Sequence, residues 1–176
     1  MKQTETTKKY LDFIAGVSVC NLGHSNPIII KAIKKQIKKY MHVMVYGEFI
    51  TDAALELAKI ISKNIPAGLT TTYFTNSGTE AIEASIKLAR RYTGKKKIIG
   101  AEKAYHGSTL GSLTLMGMEE KKKPFEPLIP MVDFIKYNSI NDISKIDSES
   151  LQDVRNFGVE MFHNCLLYTS PSPRDT

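Results

Sequence analysis

Apolar residues recur at helical spacing in three parts of the chain. An isoleucine stripe opposite five lysines predicts a helix from about Pro27 to Met41, with Ser25 or Asn26 as its cap. The segment DAALELAKIISKN predicts a second helix, which stops before Pro66. A third helix is predicted from about Thr79 to Tyr92, and its broad apolar face is typical of a helix that packs on a sheet.

Between the helices, β-prone segments predict strands. They are residues 10–20 as a strand or hairpin arm, Thr70–Thr75 as a buried strand, KKIIGA and VDFIKY. A short helix is predicted at LTLMG, and three prolines at positions 124, 127 and 130 predict an extended loop. The alternation of strand, helix and strand predicts an α/β fold with a mainly parallel sheet.

Composition excludes several classes of protein. The chain has 176 residues, of which 42% are hydrophobic and 24% are charged, so it is expected to form a core. No apolar run approaches the ~20 residues of a membrane span, and the N-terminus does not resemble a secretory signal. Cys20, Cys165 and four scattered histidines predict neither a disulfide framework nor a metal site. We therefore expect a cytoplasmic protein without a bound metal.

The formal net charge is +6, which raises the question of a nucleic-acid partner. Eleven of the 24 basic residues lie in short clusters at residues 31–39, 95–97 and 121–123. The first cluster forms the polar face of the predicted Pro27–Met41 helix, and no nucleic-acid recognition motif accompanies it. A solvated helix face is therefore favoured over a basic nucleic-acid module.

Two places in the sequence have the chemistry of a ligand site. Ser77, Gly78 and Thr79 join the Thr70–Thr75 strand to the next helix, where hydroxyls, a glycine and the first helical N–H groups suit a phosphate. A purely structural helix cap is the alternative. Tyr105 and His106 follow the next predicted strand, at the sheet edge where ligands bind in α/β folds. An aromatic ring there could stack on a flat cofactor, and a packed loop tyrosine beside a surface histidine is the alternative.

Four segments resemble a known family when they are read in order. They are YLDFIAGVSVCNLGHSNPIIIKAIKKQ, HVMVYGEF, FTNSGTEAIEASIKLARRYTG and AYHGSTLGSLTLMG. Over about residues 8–150 their order and spacing resemble the class III aminotransferases, which are pyridoxal-phosphate enzymes of fold type I. The resemblance implies an N-terminal segment at residues 1–50 and a partial, cofactor-binding large domain at residues 51–150.

The resemblance also implies a set of site residues. Ser77, Gly78 and Thr79 would hold the phosphate of pyridoxal 5'-phosphate, Tyr105 would stack on its ring, and His106 would contact cofactor or substrate. Val17, Ser18 and Tyr46 resemble parts of the family that line the substrate side, often across a dimer interface. The implied enzyme is a homodimer. It transfers an amino group between an amino acid, one with a distal amine, and a 2-oxo acid.

Some family features are not found in this chain. The resemblance implies that three residues of the family lie beyond the part that this chain matches. They are the lysine that forms a Schiff base with the cofactor, the aspartate at the pyridinium nitrogen and the substrate-binding arginine. We therefore assign no catalytic residue and expect this chain to be inactive alone.

Residues 151–176 do not resemble the family, and CLLYTSPSPRDT resembles translated sequencing-adaptor read-through. This tail indicates a truncated gene model, and the alternative is a genuine short protein that ends in a disordered tail.

The function also has an alternative. Instead of being part of an active aminotransferase, the chain could be a catalytically dead paralogue that acts by heterodimerisation.

Overall fold

A computed structural model of the chain describes residues 10–44, 49–66 and 68–146. These residues form two compact units, which divide after Ile60. Tyr46, the side chain of Ser18 and the predicted tail at residues 151–176 lie outside the described part. The domain boundaries expected at residues 50 and 150 stay predictions. No helix within the described ranges is long and apolar enough to cross a membrane.

The first unit begins with a single distorted turn, α1 (Ala15–Ser18). The strand or hairpin arm predicted for residues 10–20 is therefore wrong. The Asp12 carboxylate accepts hydrogen bonds from the N–H groups of Ile14 and Ala15, which turns the chain. Gly16 and Val17 then take left-handed backbone angles, with φ of 63° and 60°, which no strand accommodates.

The helix α2 (Pro27–Lys39) confirms the first predicted helix and ends two residues earlier than expected. Asn26 is its cap, since the Asn26 side chain accepts the Ile28 N–H at 2.9 Å and Pro27 occupies the first turn. The isoleucine stripe is only partly covered by other described residues: Ile33 and Ile37 are 52% and 53% exposed. The helix α3 (Asp52–Asn64) has the predicted bounds.

The second unit is an α/β unit. Its elements are α4 (Gly78–Thr93), β1 (Ile98–Ala101), α5 (Leu110–Thr114), α6 (Glu119–Lys122), a 3-10 turn (Lys123–Phe125), β2 (Val132–Ile135) and a second 3-10 segment (Ile140–Lys145). The strands β1 and β2 pair in parallel, with Ile98 opposite Val132 and Ala101 opposite Ile135. This arrangement confirms the predicted α/β fold with a parallel sheet.

The core of this unit lies between α4 and the sheet. Ile82 and Ile86 of α4 are buried with Leu115, and Ile98 and Val132 of the two strands pack against them. The prediction that the apolar face of α4 packs on a sheet is thus confirmed. Because both strands contribute to this cluster, the position of α4 relative to the end of β1 is fixed by packing.

Two further local predictions, both in the second unit, are wrong. Residues Thr70–Thr75 form no strand, because no described segment provides the neighbouring backbone with which a strand must pair, and Tyr73 is 80% exposed. The proline-rich segment is not uniformly extended either. Pro124 lies in the 3-10 turn after α6, since its fixed φ suits the first turn of a helix.

Candidate functional site

The turn before α4 is held in place by two side chains. Ser77 has an extended backbone, and its Oγ accepts the Glu80 N–H at 3.3 Å. The Glu80 carboxylate accepts the Asn76 N–H at 2.7 Å, so the pair works like a capping box in which the glutamate reaches one residue further back. The structure therefore supports the cap interpretation of Ser77, and a cap of this kind also orders the N–H groups of the first helical turn.

The first turn of α4 is open to a ligand at Gly78. A Cβ added there would meet no atom within 4 Å, so a ligand has free space beside the backbone. The described part of the chain offers no acceptor to the N–H groups of Gly78 and Thr79. Free N–H groups at the positive end of a helix dipole suit an anion, and a phosphate fits this turn.

The Thr79 hydroxyl is directed away from this open turn and toward α5. Its Oγ1 lies 2.7 Å from Thr109 Oγ1 and 2.5 Å from Ser112 Oγ. The single proton of the Thr109 hydroxyl is donated to Glu83 at 2.6 Å, so the Thr79 hydroxyl proton is directed to Thr109 or to Ser112. The Thr79 hydroxyl proton is thereby used, and only the backbone N–H of this residue is available to a phosphate.

Glu83 joins α4 to the start of α5. One carboxylate oxygen, Oε1, accepts from the Thr109 hydroxyl at 2.6 Å, the Gly111 N–H at 2.7 Å and the Ser112 N–H at 3.3 Å. Burial raises the pKa of the Glu83 carboxyl, but these hydrogen bonds and nearby Lys87 outweigh it and place the pKa below the ordinary value. The carboxylate is therefore ionised at neutral pH.

In the sequence, Glu83 and Lys87 are an i, i+4 pair typical of the outer face of a helix, and that interpretation misses this link. The spacing of the sequence allows either partner, since Glu83 is also four residues from Thr79 on the same helix face. In the structure, Glu83 lies so close to Gly111 that a Cβ added there would overlap the Glu83 carboxylate.

The loop after β1 places Tyr105 at the surface. Its side chain is 55% exposed, and its hydroxyl lies 3.3 Å from Ser108 Oγ. His106 is half-buried, and burial lowers its pKa, so the imidazole is neutral at physiological pH. An exposed ring beside a neutral imidazole could contact a flat ligand.

The same loop touches the phosphate turn through Gly107. Gly107 has φ of 126°, and an added Cβ would overlap the side chain of Thr79. The loop backbone therefore lies directly against the start of α4. The structure thus brings the predicted phosphate residues and the Tyr105 loop together, although they are separated by about thirty positions of sequence.

Within residues 10–44, 49–66 and 68–146, no group of three His, Cys, Asp or Glu side chains is arranged to hold a metal ion. Val17, which the family resemblance places near the substrate, lies in the first unit and is 72% exposed.

Comparison with known proteins identifies the family. The model of the family described as aminotransferase class-III matches residues 3–163. The chain is 41% identical over 143 residues to a [LysW]-aminoadipate semialdehyde/glutamate semialdehyde transaminase of Sulfolobus acidocaldarius, covering 81% of this chain and 36% of that protein. It is 42% identical over 149 residues to an acetylornithine aminotransferase of Clostridium acetobutylicum, covering 81% of this chain and 38% of that protein. The chain thus spans less than half the length of these curated relatives.

Solved structures with the same fold are also transaminases. A transaminase from the marine bacterium Virgibacillus superposes with a TM-score of 0.70 at 26% identity, over 85% of this chain and 35% of that one. An omega transaminase from Pseudomonas jessenii, solved in complex with PMP, gives a TM-score of 0.66 at 27% identity, over 70% of this chain and 29% of that one. These similarities confirm the predicted fold type I, represented here by part of its large domain.

Proposed function

Since this chain belongs to the class-III aminotransferase family, we propose that it contributes the phosphate turn and the ring platform of a pyridoxal-phosphate-dependent aminotransferase. The observation that carries the proposal is the contact between Gly107 and Thr79, which joins the Tyr105 loop to the first turn of α4. A phosphate at that turn and a flat ring at Tyr105 are two ends of one small cofactor.

The residues fit the phosphate end of the cofactor. Ser77 offers a hydroxyl proton, because its Oγ accepts a hydrogen bond from Glu80 and still has its own proton to donate. Gly78 and Thr79 offer backbone N–H groups, and the space beside Gly78 is open. The ordered cap means that these donors are oriented before the anion arrives, which lowers the entropic cost of binding.

Tyr105 and His106 fit the ring end. The exposed Tyr105 ring offers a face on which a pyridine ring can stack, and the neutral imidazole of His106 lies next to it in sequence. When bound, pyridoxal phosphate supplies the electron sink that makes amino-group transfer possible. The role of this chain is to bind and orient that group and to exclude water from one side of it.

The proposed reaction transfers an amino group between an amino acid and a 2-oxo acid. Relatives named acetylornithine aminotransferase and [LysW]-aminoadipate semialdehyde/glutamate semialdehyde transaminase support an amino donor whose reacting amine is distal. We propose a homodimer as the active form. We also propose that residues 1–176 do not include the lysine that binds the cofactor covalently. Lys87 and Lys103, near the site in sequence, are exposed.

The test uses the complete product of the gene that encodes this chain. We expect it to bind pyridoxal phosphate at one site per chain and to transfer amino groups to a 2-oxo acid. Pyridoxal, which lacks the phosphate, is the control ligand and should bind much more weakly. Equal binding of the two ligands would contradict the role of the Ser77 turn.

A second measurement locates the covalent anchor. Borohydride reduction of the complex followed by peptide mass spectrometry should find no stoichiometric adduct within residues 1–176. A single adduct at one lysine of this range would contradict that part of the proposal. Cofactor binding without any amino-group transfer, together with capture of a longer paralogue, would instead support the inactive heterodimerising alternative.

A further inference from the structure

Glu83 and two hydroxyls form a continuous chain of hydrogen bonds from α4 to α5. The Thr79 hydroxyl lies 2.7 Å from the Thr109 hydroxyl, which donates to Glu83 Oε1. The same oxygen accepts the N–H groups of Gly111 and Ser112. A single carboxylate oxygen thus fixes the direction of the Thr109 hydroxyl proton and the position of the first turn of α5.

Among the described residues, the hydrogen bonds that attach the Tyr105 loop to β1 and α4 lie at its two ends. At the β1 end, the Ala104 carbonyl accepts the Gly117 N–H at 3.0 Å, and the Ala104 side chain is buried. At the other end, the loop enters α5 at Thr109, whose hydroxyl is held by Glu83. Between these two ends, Gly107 lies against Thr79. The place of the Tyr105 ring relative to the phosphate turn therefore depends on the Glu83 attachment.

We propose that Glu83 is a positioning residue for the cofactor: by fixing the start of α5 against Thr79, it sets the distance between the Ser77–Gly78–Thr79 turn and the ring of Tyr105. Glu83 touches neither end of the cofactor in this assignment and acts through the loop. The inference rests on the proposed function, because it concerns how that site is held in shape.

The test is a double-mutant cycle in the complete gene product, measured as the dissociation constant for pyridoxal phosphate. We expect Glu83→Ala to weaken binding by about tenfold, in line with the loss of hydrogen bonds to an ionised group. In the Tyr105→Ala background the same substitution should weaken binding by less than about threefold, because the ring that Glu83 positions is gone. The matched control is Glu120→Ala, at an exposed residue of α6. It should not change the dissociation constant in the wild-type or in the Tyr105→Ala background.

Glu83→Gln separates positioning from gross folding. Glutamine keeps a carbonyl oxygen where Oε1 accepts its three hydrogen bonds, so it should recover most of the affinity that alanine loses. The induced circular dichroism of the bound cofactor is a second readout, which should change in Glu83→Ala and stay near wild type in Glu83→Gln.

The failures are distinguishable. If the wild-type protein binds no pyridoxal phosphate, the proposed function is wrong and the inference falls with it. If it binds, but Glu83→Ala weakens binding equally with and without the Tyr105 ring, the proposed function stands and the positioning role is overturned. If Glu83→Ala does not fold, Glu83→Gln takes its place in the cycle, and a loss of affinity greater than about threefold that is equal with and without the Tyr105 ring would overturn the positioning role as well.

Discussion

Thr79 Oγ1 lies 2.5 Å from Ser112 Oγ, so the first turn of α4 is hydrogen-bonded to α5 across 33 positions of sequence. This contact explains why two segments that are separate motifs in the sequence lie side by side in the structure. It also explains why a residue as small as glycine follows His106, because a larger one would displace the Thr79 side chain.

The contact between Gly107 and Thr79 predicts that Gly107→Ala is strongly destabilising. Two costs add: the positive φ of 126° and the overlap of a Cβ with Thr79. The matched control is Gly68→Ala, since Gly68 has φ of 104° but open space around it. We expect Gly68→Ala to cost about 1–3 kcal/mol and Gly107→Ala about 1–3 kcal/mol more. Thermal unfolding of both variants measures the difference. Equal losses of unfolding free energy would show that the Thr79 side chain moves aside without destabilising the fold, and would contradict the prediction.

Ser77 is predicted to have two separable roles, as helix cap and as phosphate donor. Ser77→Ala should lower the free energy of unfolding by about 0.5–2 kcal/mol through loss of the cap. Ser77→Asp keeps an acceptor for the Glu80 N–H, so its stability should stay near wild type. Its negative charge should nevertheless weaken binding of pyridoxal phosphate by at least about tenfold. Unchanged affinity of Ser77→Asp for pyridoxal phosphate would show that Ser77 does not contact the phosphate.

Local signals in the sequence were sufficient for α2, α3 and α4. Their apolar stripes are properties of the segments themselves, and so are the caps, which the structure has at Asn26 for α2 and at Ser77 and Gly94 for α4. The sequence was insufficient where structure depends on a partner. Thr70–Thr75 has β-prone residues, but a strand needs a neighbour, and the described residues provide none.

For the site, the sequence predicts the turn residues but does not identify Glu83. Helical spacing places Glu83 on the face shared with Thr79 and also within reach of Lys87, and the sequence contains no preference between them. The partner of the Glu83 carboxylate is decided by the start of α5. The Thr109 hydroxyl and the N–H groups of Gly111 and Ser112 provide three hydrogen-bond donors there, whereas Lys87 is a single exposed side chain. Tertiary hydrogen bonds of this kind have no local signature.

Glu83 also predicts an acid-sensitive contribution to stability. Its folded-state pKa lies below the ordinary 4.5, so on acidification the unfolded chain takes up this proton first. The stabilisation is therefore complete above pH 4.5 and is lost as pH falls through the lower, folded-state pKa. Thermal unfolding from about pH 6 to about pH 3 should show this fall in wild type and in Glu120→Gln, and a weaker fall in Glu83→Gln. Parallel curves for Glu83→Gln and wild type would contradict it.

Tyr105 is predicted to hold the cofactor by its ring and not by its hydroxyl. Tyr105→Ala should weaken binding of pyridoxal phosphate by about 1–3 kcal/mol, the range measured for aromatic stacking. Tyr105→Phe keeps the ring and loses only the 3.3 Å contact with Ser108, so its affinity should stay within about twofold of wild type. If alanine and phenylalanine bind the cofactor equally well, Tyr105 is a surface loop residue without a stacking role.

The exposed apolar surface predicts that residues 1–176, produced alone, associate or aggregate. On α2, Ile33 and Ile37 are about half exposed, and in the second unit β1 and β2 pair only with each other among the described residues, so each has an open edge. Uncovered apolar faces and strand edges favour contacts between copies. Light scattering after size-exclusion chromatography should find large species. The double substitution Ile33→Gln, Ile37→Gln should reduce them, whereas Lys35→Gln on the charged side of α2 should not.

The complete gene product should be a homodimer under the same conditions. A monodisperse monomer of residues 1–176 that melts cooperatively would show that this chain is an independent domain and would contradict the prediction.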